Sequence, residues 1–268
     1  MESERVAYCL CPSYRKFVCL QSSMWLFERQ TYPHKKLLIL EDSGLVKPKQ
    51  TENITIISTP TRFPLLPAKH NYLLNLIKLQ LRPKDVIFVW DDDDIFLEEY
   101  IERHMEVLES YPVSKLSSWF SYHNNTLTLR KATKAHIGMA FRAECLDKVS
   151  GWPLTNLAFD QFFVMELMRF FPFGDPCQLS LPLFVYRWDM PKGYHCSSFR
   201  KGPRDESWYE KIDEKLGPKE SDPIDLEPCP DPWLIPIIEV TKFIIEQNNK
   251  ARAFEEQRLQ GQESDFCY

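Results

Sequence analysis

Residues 85–94 read DVIFVWDDDD, an apolar run that ends in four consecutive aspartates, Asp91, Asp92, Asp93 and Asp94. The β-branched and aromatic residues over 85–90 have the composition of a buried strand. Open α/β sheets bind ligands at the carboxyl ends of their strands. Four adjacent carboxylates there repel one another strongly, and a divalent cation is the natural compensation. Hard oxygen ligands favour magnesium, calcium or manganese. Magnesium and manganese commonly link one or two protein carboxylates to a substrate diphosphate. The competing reading is a solvated acidic lead-in to the helix expected from Glu98, with Asp94 near its dipole.

Outward from this run, apolar strands alternate with helical stretches. Strands are expected at 6–11, 36–40 and 54–58, and helices at 17–30, 71–81 and 98–110. That alternation over the first ~110 residues is the pattern of a parallel, Rossmann-like sheet. The 36–40 strand runs into Glu41-Asp42-Ser43-Gly44, so a second carboxylate pair sits at a strand's carboxyl end. An acid there can accept from a ribose hydroxyl or a base N–H. Further strands are expected at 117–122, 126–129, 137–141 and 183–187, and helices at 143–149 and 160–170. Residues 200–232 are rich in Pro and charge, as a loop or lid would be. An amphipathic helix is expected over 233–259, broken near its start by Pro236.

The 268 residues carry 33 Lys+Arg against 38 Asp+Glu, a net charge of −5. That excludes a general polyanion binder while allowing a local basic patch. Hydrophobic residues at 44% provide a sizeable core and argue against disorder. With Gly at 8, a glycine-rich phosphate loop is excluded. The eight cysteines form no C-x-x-C pair, which argues against a zinc ribbon or a thioredoxin-like site. No signal peptide and no apolar run of membrane-spanning length is evident. Reduced thiols and a cytoplasmic location are therefore expected.

The motifs, taken in order, resemble those of the family 2 glycosyltransferases of the GT-A fold. That family opens on a strand and a Pro-Thr-Tyr-Asn-Arg-like segment, here Pro12-Ser13-Tyr14-Arg15-Lys16. A helix ending in Gln-Thr-Tyr-Pro follows, here Gln30-Thr31-Tyr32-Pro33. Its Asp-Asp-Gly-Ser is matched by Glu41-Asp42-Ser43-Gly44, and its Lys-x-Asn by Lys69-His70-Asn71. The acidic hallmark is Asp91 to Asp94. Gly138-Met139-Ala140-Phe141-Arg142, Gly151-Trp152, Phe159-Asp160 and a late His195 after Tyr186-Arg187 complete the series. The likeness covers residues 6 to about 198. Two departures stand out: Glu41 replaces the first Asp of its pair, and Phe159 replaces the Glu of the Glu-Asp motif.

The resemblance implies an α/β fold of GT-A type, a Rossmann-like, mostly parallel mixed sheet flanked by helices, with a C-terminal helical extension. It divides the chain into a catalytic domain over 1–199, with a nucleotide-binding half to about 110 and an acceptor-side half after it. A loop or lid over 200–232 and a helix and tail over 233–268 follow. It also implies an inverting, metal-dependent hexosyl- or pentosyltransferase acting on a nucleotide sugar, UDP-linked by preference. By similarity, Asp93 is a metal ligand using Mn2+ or Mg2+, Asp94 a second, and His195 completes the shell. Asp91 contacts the nucleoside, Glu41 the nucleobase and Lys69 the diphosphate. Pro12, Tyr14, Arg15, Asn71 and Asp92 lie on the donor side. Asp160 is the general base that takes the acceptor proton. Structural rivals are an N-cap role for Asp160 and ion pairing for Arg142 and Arg187.

Two basic segments, 130–134 and 199–204, point to the acceptor side. A hydroxyl acceptor that is a glycan or other saccharide is expected. A hydroxylated base in DNA is the runner-up, which would require base flipping and would bind more weakly as salt rises. A non-catalytic metal- or nucleotide-binding interaction protein is the alternative of another class.

Overall fold

The computed structural model describes residues 4–131, 135–155, 157–187, 222–232 and 234–264. The central strand β1 (Ala7–Ser13) is buried along its whole length. Its alternating side chains serve two cores. Ala7, Cys9 and Cys11 pack with Met24 and Phe27 of α1 (Phe17–Glu28). Tyr8 and Leu10 pack with Leu73 and Leu74 of α2 (Leu66–Ile77). A strand covered on both faces reads as a continuous apolar run, as parallel sheets require.

Strand β2 (Lys35–Glu41), the short β3 (Lys49–Gln50) and β4 (Ile54–Ser58) extend the sheet to one side. The chain then crosses back through α2 to β5 (Val86–Val89), on the other side of β1. After β6 (Ile95–Phe96) and α3 (Tyr100–Val107) come β7 (Val113–Lys115), β8 (Ser118–His123), β9 (Thr126–Lys131) and β10 (Met139–Arg142). A 3-10 turn over Ala143–Asp147, α4 (Phe159–Phe170), β11 (Phe173–Gly174) and β12 (Phe184–Arg187) follow, and α5 (Leu234–Ser264) ends the described chain.

The main sheet has the order β11-β7-β10-β5-β1-β2-β4-β3, and a second has β6-β12-β8-β9. β5, β1, β2 and β4 are parallel, whereas β10 runs antiparallel to both β5 and β7. The sheet is thus mixed: the amino-terminal half supplies a run of four parallel strands, as expected from the alternation there, and β11 adds a short parallel pair with β7. Connections leave β1 in opposite directions, which makes the β1–β5 boundary the topological switch point, where such sheets open a ligand crevice.

Several boundaries differ from the sequence-based expectation. Helix α2 begins at Leu66 rather than at 71 because Pro67 occupies its first turn, where a missing N–H costs nothing. For the same reason Pro236 does not break the last helix: it lies in the first turn of α5. The strands β3, β6, β7 and β11 have two or three residues each. They are too short for a periodic signal and exist only through their partners. Of the loop at 200–232, residues 222–232 are described, and they are tied to the domain. The Ile224 N–H donates to the Leu45 carbonyl at 2.8 Å, and the Asp231 N–H donates to Ser22 Oγ at 2.9 Å. Leu234, Ile237, Ile238 and Ile245 of α5 join the core that holds α1.

The buried His104 on α3 gives the fold a pH dependence. Its Nδ1 lies 2.9 Å from Ser114 Oγ, and burial pushes its pKa down to about 3. An unfolded histidine titrates near ~6.5, so the unfolded chain binds a proton that the folded one refuses. The stability from neutral His104 is complete above that value and is lost as pH falls toward 3. By pH 5 the loss is about 2 kcal/mol. In urea melts at pH 7.5 and 5, the gap between wild type and His104→Leu is expected to narrow by that amount. An unchanged gap refutes the assignment.

Candidate functional site

Trp90 anchors the start of the acidic run. It is fully buried, stacks on Phe96 at 3.8 Å and donates from Nε1 to Ser23 Oγ at 2.8 Å. β1 runs past the end of β5, so Ser13 reaches the acids and its Oγ donates to Asp92 Oδ2 at 2.6 Å. Lys16, just before α1, donates from Nζ to Asp92 Oδ1 at 2.9 Å and to Asp93 Oδ2 at 2.7 Å. Asp94 Oδ1 accepts from the Arg187 N–H at 3.2 Å, while Asp94 Oδ2 is buried without a partner among the described residues. The Arg187 Nε donates to the Asp93 carbonyl, and both terminal guanidinium nitrogens are buried without partners among the described residues.

Burial is the main cause raising the pKa of Asp91, to about 7, with Asp93 and Asp92 adding repulsion. Burial also raises Asp92 and Asp94; Lys16 opposes the first shift, and Asp93 reinforces the second. Crowded, desolvated carboxylates with an orphaned oxygen on Asp94 are a donor set that suits a hard divalent cation. Asp93 and Asp94 are the residues that would hold it.

Asp91 faces the other core. One ligand atom each of His70, Asp91 and His136 lie within 4.8 Å of one another. The spacing alone would suit a cation, but the tautomer of His136 does not. Trp152 Nε1–H donates to His136 Nδ1 at 2.9 Å, and an indole nitrogen can only donate. The proton of neutral His136 therefore sits on Nε2, which makes that nitrogen a donor and not a metal ligand. His70 stacks on Trp152 at 4.6 Å, and among the described residues neither of its ring nitrogens has a partner. Burial holds both imidazoles neutral, with His136 lowered to about 4 against the opposing pull of Asp160 and His70 held well below the usual histidine range.

Asp160 opens α4 after Ala158, whose φ of 52° is left-handed. It is half-buried and lies within electrostatic reach of both Asp91 and His136. The first carboxylate of the acid run and the aspartate of the Phe159-Asp160 motif therefore interact electrostatically. The neutral rings of His70 and His136 pack with Trp152 beside Asp91.

The other predicted donor-side residues fall into a network at the ends of β1 and β2. Glu41 is fully buried, and its two oxygens accept from the Arg15 N–H at 3.0 Å and the Ser43 N–H at 3.2 Å. It clamps two loops together, one of them carrying Arg15 at φ 54°. Lys69 donates to Asp42 and, at 2.9 Å, to the Ser13 carbonyl. Burial lowers its pKa, with Asp42 opposing. Tyr14 is half-buried, with the Arg62 guanidinium 3.8 Å over its ring. Pro12 is a buried member of β1.

Asn71 faces elsewhere. Its side-chain nitrogen donates to the Trp152 carbonyl at 2.7 Å, and its oxygen accepts from the Trp152 N–H at 2.8 Å. It holds the Gly151-Trp152 turn, at which a Cβ on Gly151 would lie 2.4 Å from the Asn71 oxygen. Arg142 is structural, bonded to the Leu108 and Glu109 carbonyls and to Glu144. His195 and the segment 199–204 lie outside the described residues, whereas Arg130 and Lys131 are exposed on the edge strand β9.

Pairwise contacts thus link Glu41 with Arg15, Lys69 with Asp42 and Ser13, Ser13 and Lys16 with Asp92, Lys16 with Asp93, and Asp91 with Asp160. Ser13, Lys16, His70 and His136 are added by the structure. Lys16 was visible in the Pro-Ser-Tyr-Arg-Lys motif, and His70 between Lys69 and Asn71. Nothing local marks their partners.

No protein-family model matches this sequence, and no curated protein matches it. Among solved structures, the fold is similar to S. aureus TarS 1–349 in complex with UDP-GlcNAc, with a TM-score of 0.53 and 14% identity over 77% of this chain and 64% of that one. A second TarS structure gives 0.50 and 14% over 71% and 38%. The mannosyltransferase PcManGT from Pyrobaculum calidifontis, in complex with GDP-Man and Mn2+, gives 0.48 and 12% over 78% and 68%. The chain spans less than two thirds of the TarS structures it matches. The TarS likeness shows the fold, and that fold is of GT-A type, as the motif order led one to expect.

Proposed function

We propose that this protein is an inverting glycosyltransferase that moves a sugar from a nucleotide-sugar donor to a hydroxyl acceptor. The observation that carries the reading is the arrangement at the β1–β5 switch point. Buried Asp93 and Asp94 stand at the carboxyl end of β5, and Asp160 lies within electrostatic reach of Asp91. Asp93 and Asp94 would hold a manganese or magnesium ion, with His195 as the third ligand by resemblance. Such a cation, when bound, neutralises the charge that builds on a departing diphosphate.

The chain's own residues do the rest. Asp91 lies between the acid run and the neutral box of His70, His136 and Trp152, and it contacts the donor. Tyr14 and Arg62 form the rim on the nucleoside side. Asp160 accepts the proton of the acceptor hydroxyl as that oxygen attacks the anomeric carbon. Neutral His70 and His136 place no cation beside that carboxylate. One displacement at one carbon gives inversion. A UDP-linked donor is preferred on the likeness to TarS, whose structure holds UDP-GlcNAc. A saccharide is the acceptor class proposed with it.

Thermal melts with UDP, GDP and their sugar conjugates, each with and without Mn2+, test the reading. One nucleotide class is expected to raise the melting temperature only with the metal. Binding at 100 times Kd stabilises by about 2.7 kcal/mol. The matching nucleotide sugar should be slowly hydrolysed to free sugar. A chain that responds to no nucleotide and turns over no donor is not this enzyme. Binding without turnover, across broad acceptors, makes it a nucleotide-binding protein instead.

A further inference from the structure

The Lys16 ammonium lies between two carboxylates, 2.9 Å from Asp92 Oδ1 and 2.7 Å from Asp93 Oδ2. Its side chain is only 13% exposed, and those of Asp92 and Asp93 are 4% and 8% exposed. In this state it is the cation paired with the Asp92 and Asp93 carboxylates among the described residues. A divalent ion on Asp93 competes with Lys16 for that carboxylate, and two cations this close in a buried place repel strongly. The ammonium must then move. A lysine is a point charge on a flexible four-carbon stem and readily changes partner.

We propose that Lys16 is an exchanging counter-ion. It holds the acid run together before ligands arrive, yields Asp93 to the divalent ion, and then pairs with the diphosphate of the donor. This rests on the reading of the crevice as a cation and nucleotide-diphosphate site. The backbone favours the exchange. Arg15, the preceding residue, is held in the left-handed region at φ 54° by its N–H bond to Glu41. Lys16 itself precedes α1, so its side chain can swing while its main chain stays fixed. Asp92 would not be stranded by the move, because the Ser13 hydroxyl continues to donate to it at 2.6 Å.

The consequence separates this role from a structural one. Removing the ammonium takes away a competitor of the metal and a partner of the diphosphate. Lys16→Met and the more polar Lys16→Gln, both in the full chain, are the variants; the second serves if the first does not fold. Mn2+ affinity is read by electron paramagnetic resonance of the free ion, without nucleotide. UDP affinity is read by calorimetry at saturating Mn2+. Both variants are expected to bind Mn2+ about tenfold more tightly than wild type and UDP several-fold more weakly. Loss of affinity for both ligands makes Lys16 a structural residue and overturns the exchange. Equal Mn2+ affinity in wild type and variants, with Asp93→Asn weakening it, overturns the exchange and leaves the cation site standing. Mn2+ bound by none of the proteins overturns the exchange and the cation site together.

Discussion

Asp160→Asn is expected to lower the rate of donor turnover by about 10^2–10^4, the usual contribution of a positioned general base, and to leave Mn2+ and nucleotide affinity unchanged. The substitution keeps the shape of the side chain and removes only its capacity to take a proton. Asp160 sits in the first turn of α4, where its neighbours Phe159 and Phe163 are buried in the core shared with Trp152. The backbone that carries it is therefore well held, and loss of folding does not explain loss of activity. Release of UDP from a UDP-sugar, with water or a hydroxyl acceptor as nucleophile, measures the effect, since both need a base. A variant as fast as wild type removes Asp160 from the chemistry and leaves only a helix-initiating role.

Asp93→Asn is expected to abolish the metal-dependent part of nucleotide binding and to cut turnover by about 10^2–10^3, the scale of losing one electrostatic stabiliser of developing charge. The variant should still fold. It removes one charge from a crowded, buried set, and Lys16 keeps its contact with Asp92. The same substitution at Asp92 should be milder toward metal, because that carboxylate is already held by the Ser13 hydroxyl. Melts with UDP and Mn2+ separate the two variants. An Asp93→Asn protein that keeps the full metal-dependent stabilisation moves the cation off this residue.

Much of the parallel half was legible in the sequence because its signal is local. The buried strands β1, β2, β4 and β5 are continuous apolar runs, and α1 follows β1 directly. The later half was harder to read. β7 and β11 pair over two residues each, Phe173 with Val113 and Gly174 with Ser114, and no window of that length has a period. β6 is likewise a strand only because β12 lies beside it.

The candidate site divides the same way. That acids stand at the end of β5 follows from covalent order alone, since Trp90 closes an apolar strand and Asp91 follows it. How each polar group is used does not follow. Glu41 and Asn71 matched motif positions, yet Glu41 spends both oxygens on backbone N–H groups and Asn71 spends its amide on Trp152. A motif specifies a residue type, whereas a hydrogen bond also needs a partner at a set distance and angle.

The sequence by itself determined the strand–helix alternation of the parallel half and the two acidic strand ends, because each depends on neighbours along the chain. Only the tertiary structure decided that Lys16, 76 and 77 residues away, neutralises Asp92 and Asp93. It alone also brought His70 and His136 to Asp91. The reason is physical: charge compensation in a buried site is set by distances across packed elements, which no spacing along the chain encodes.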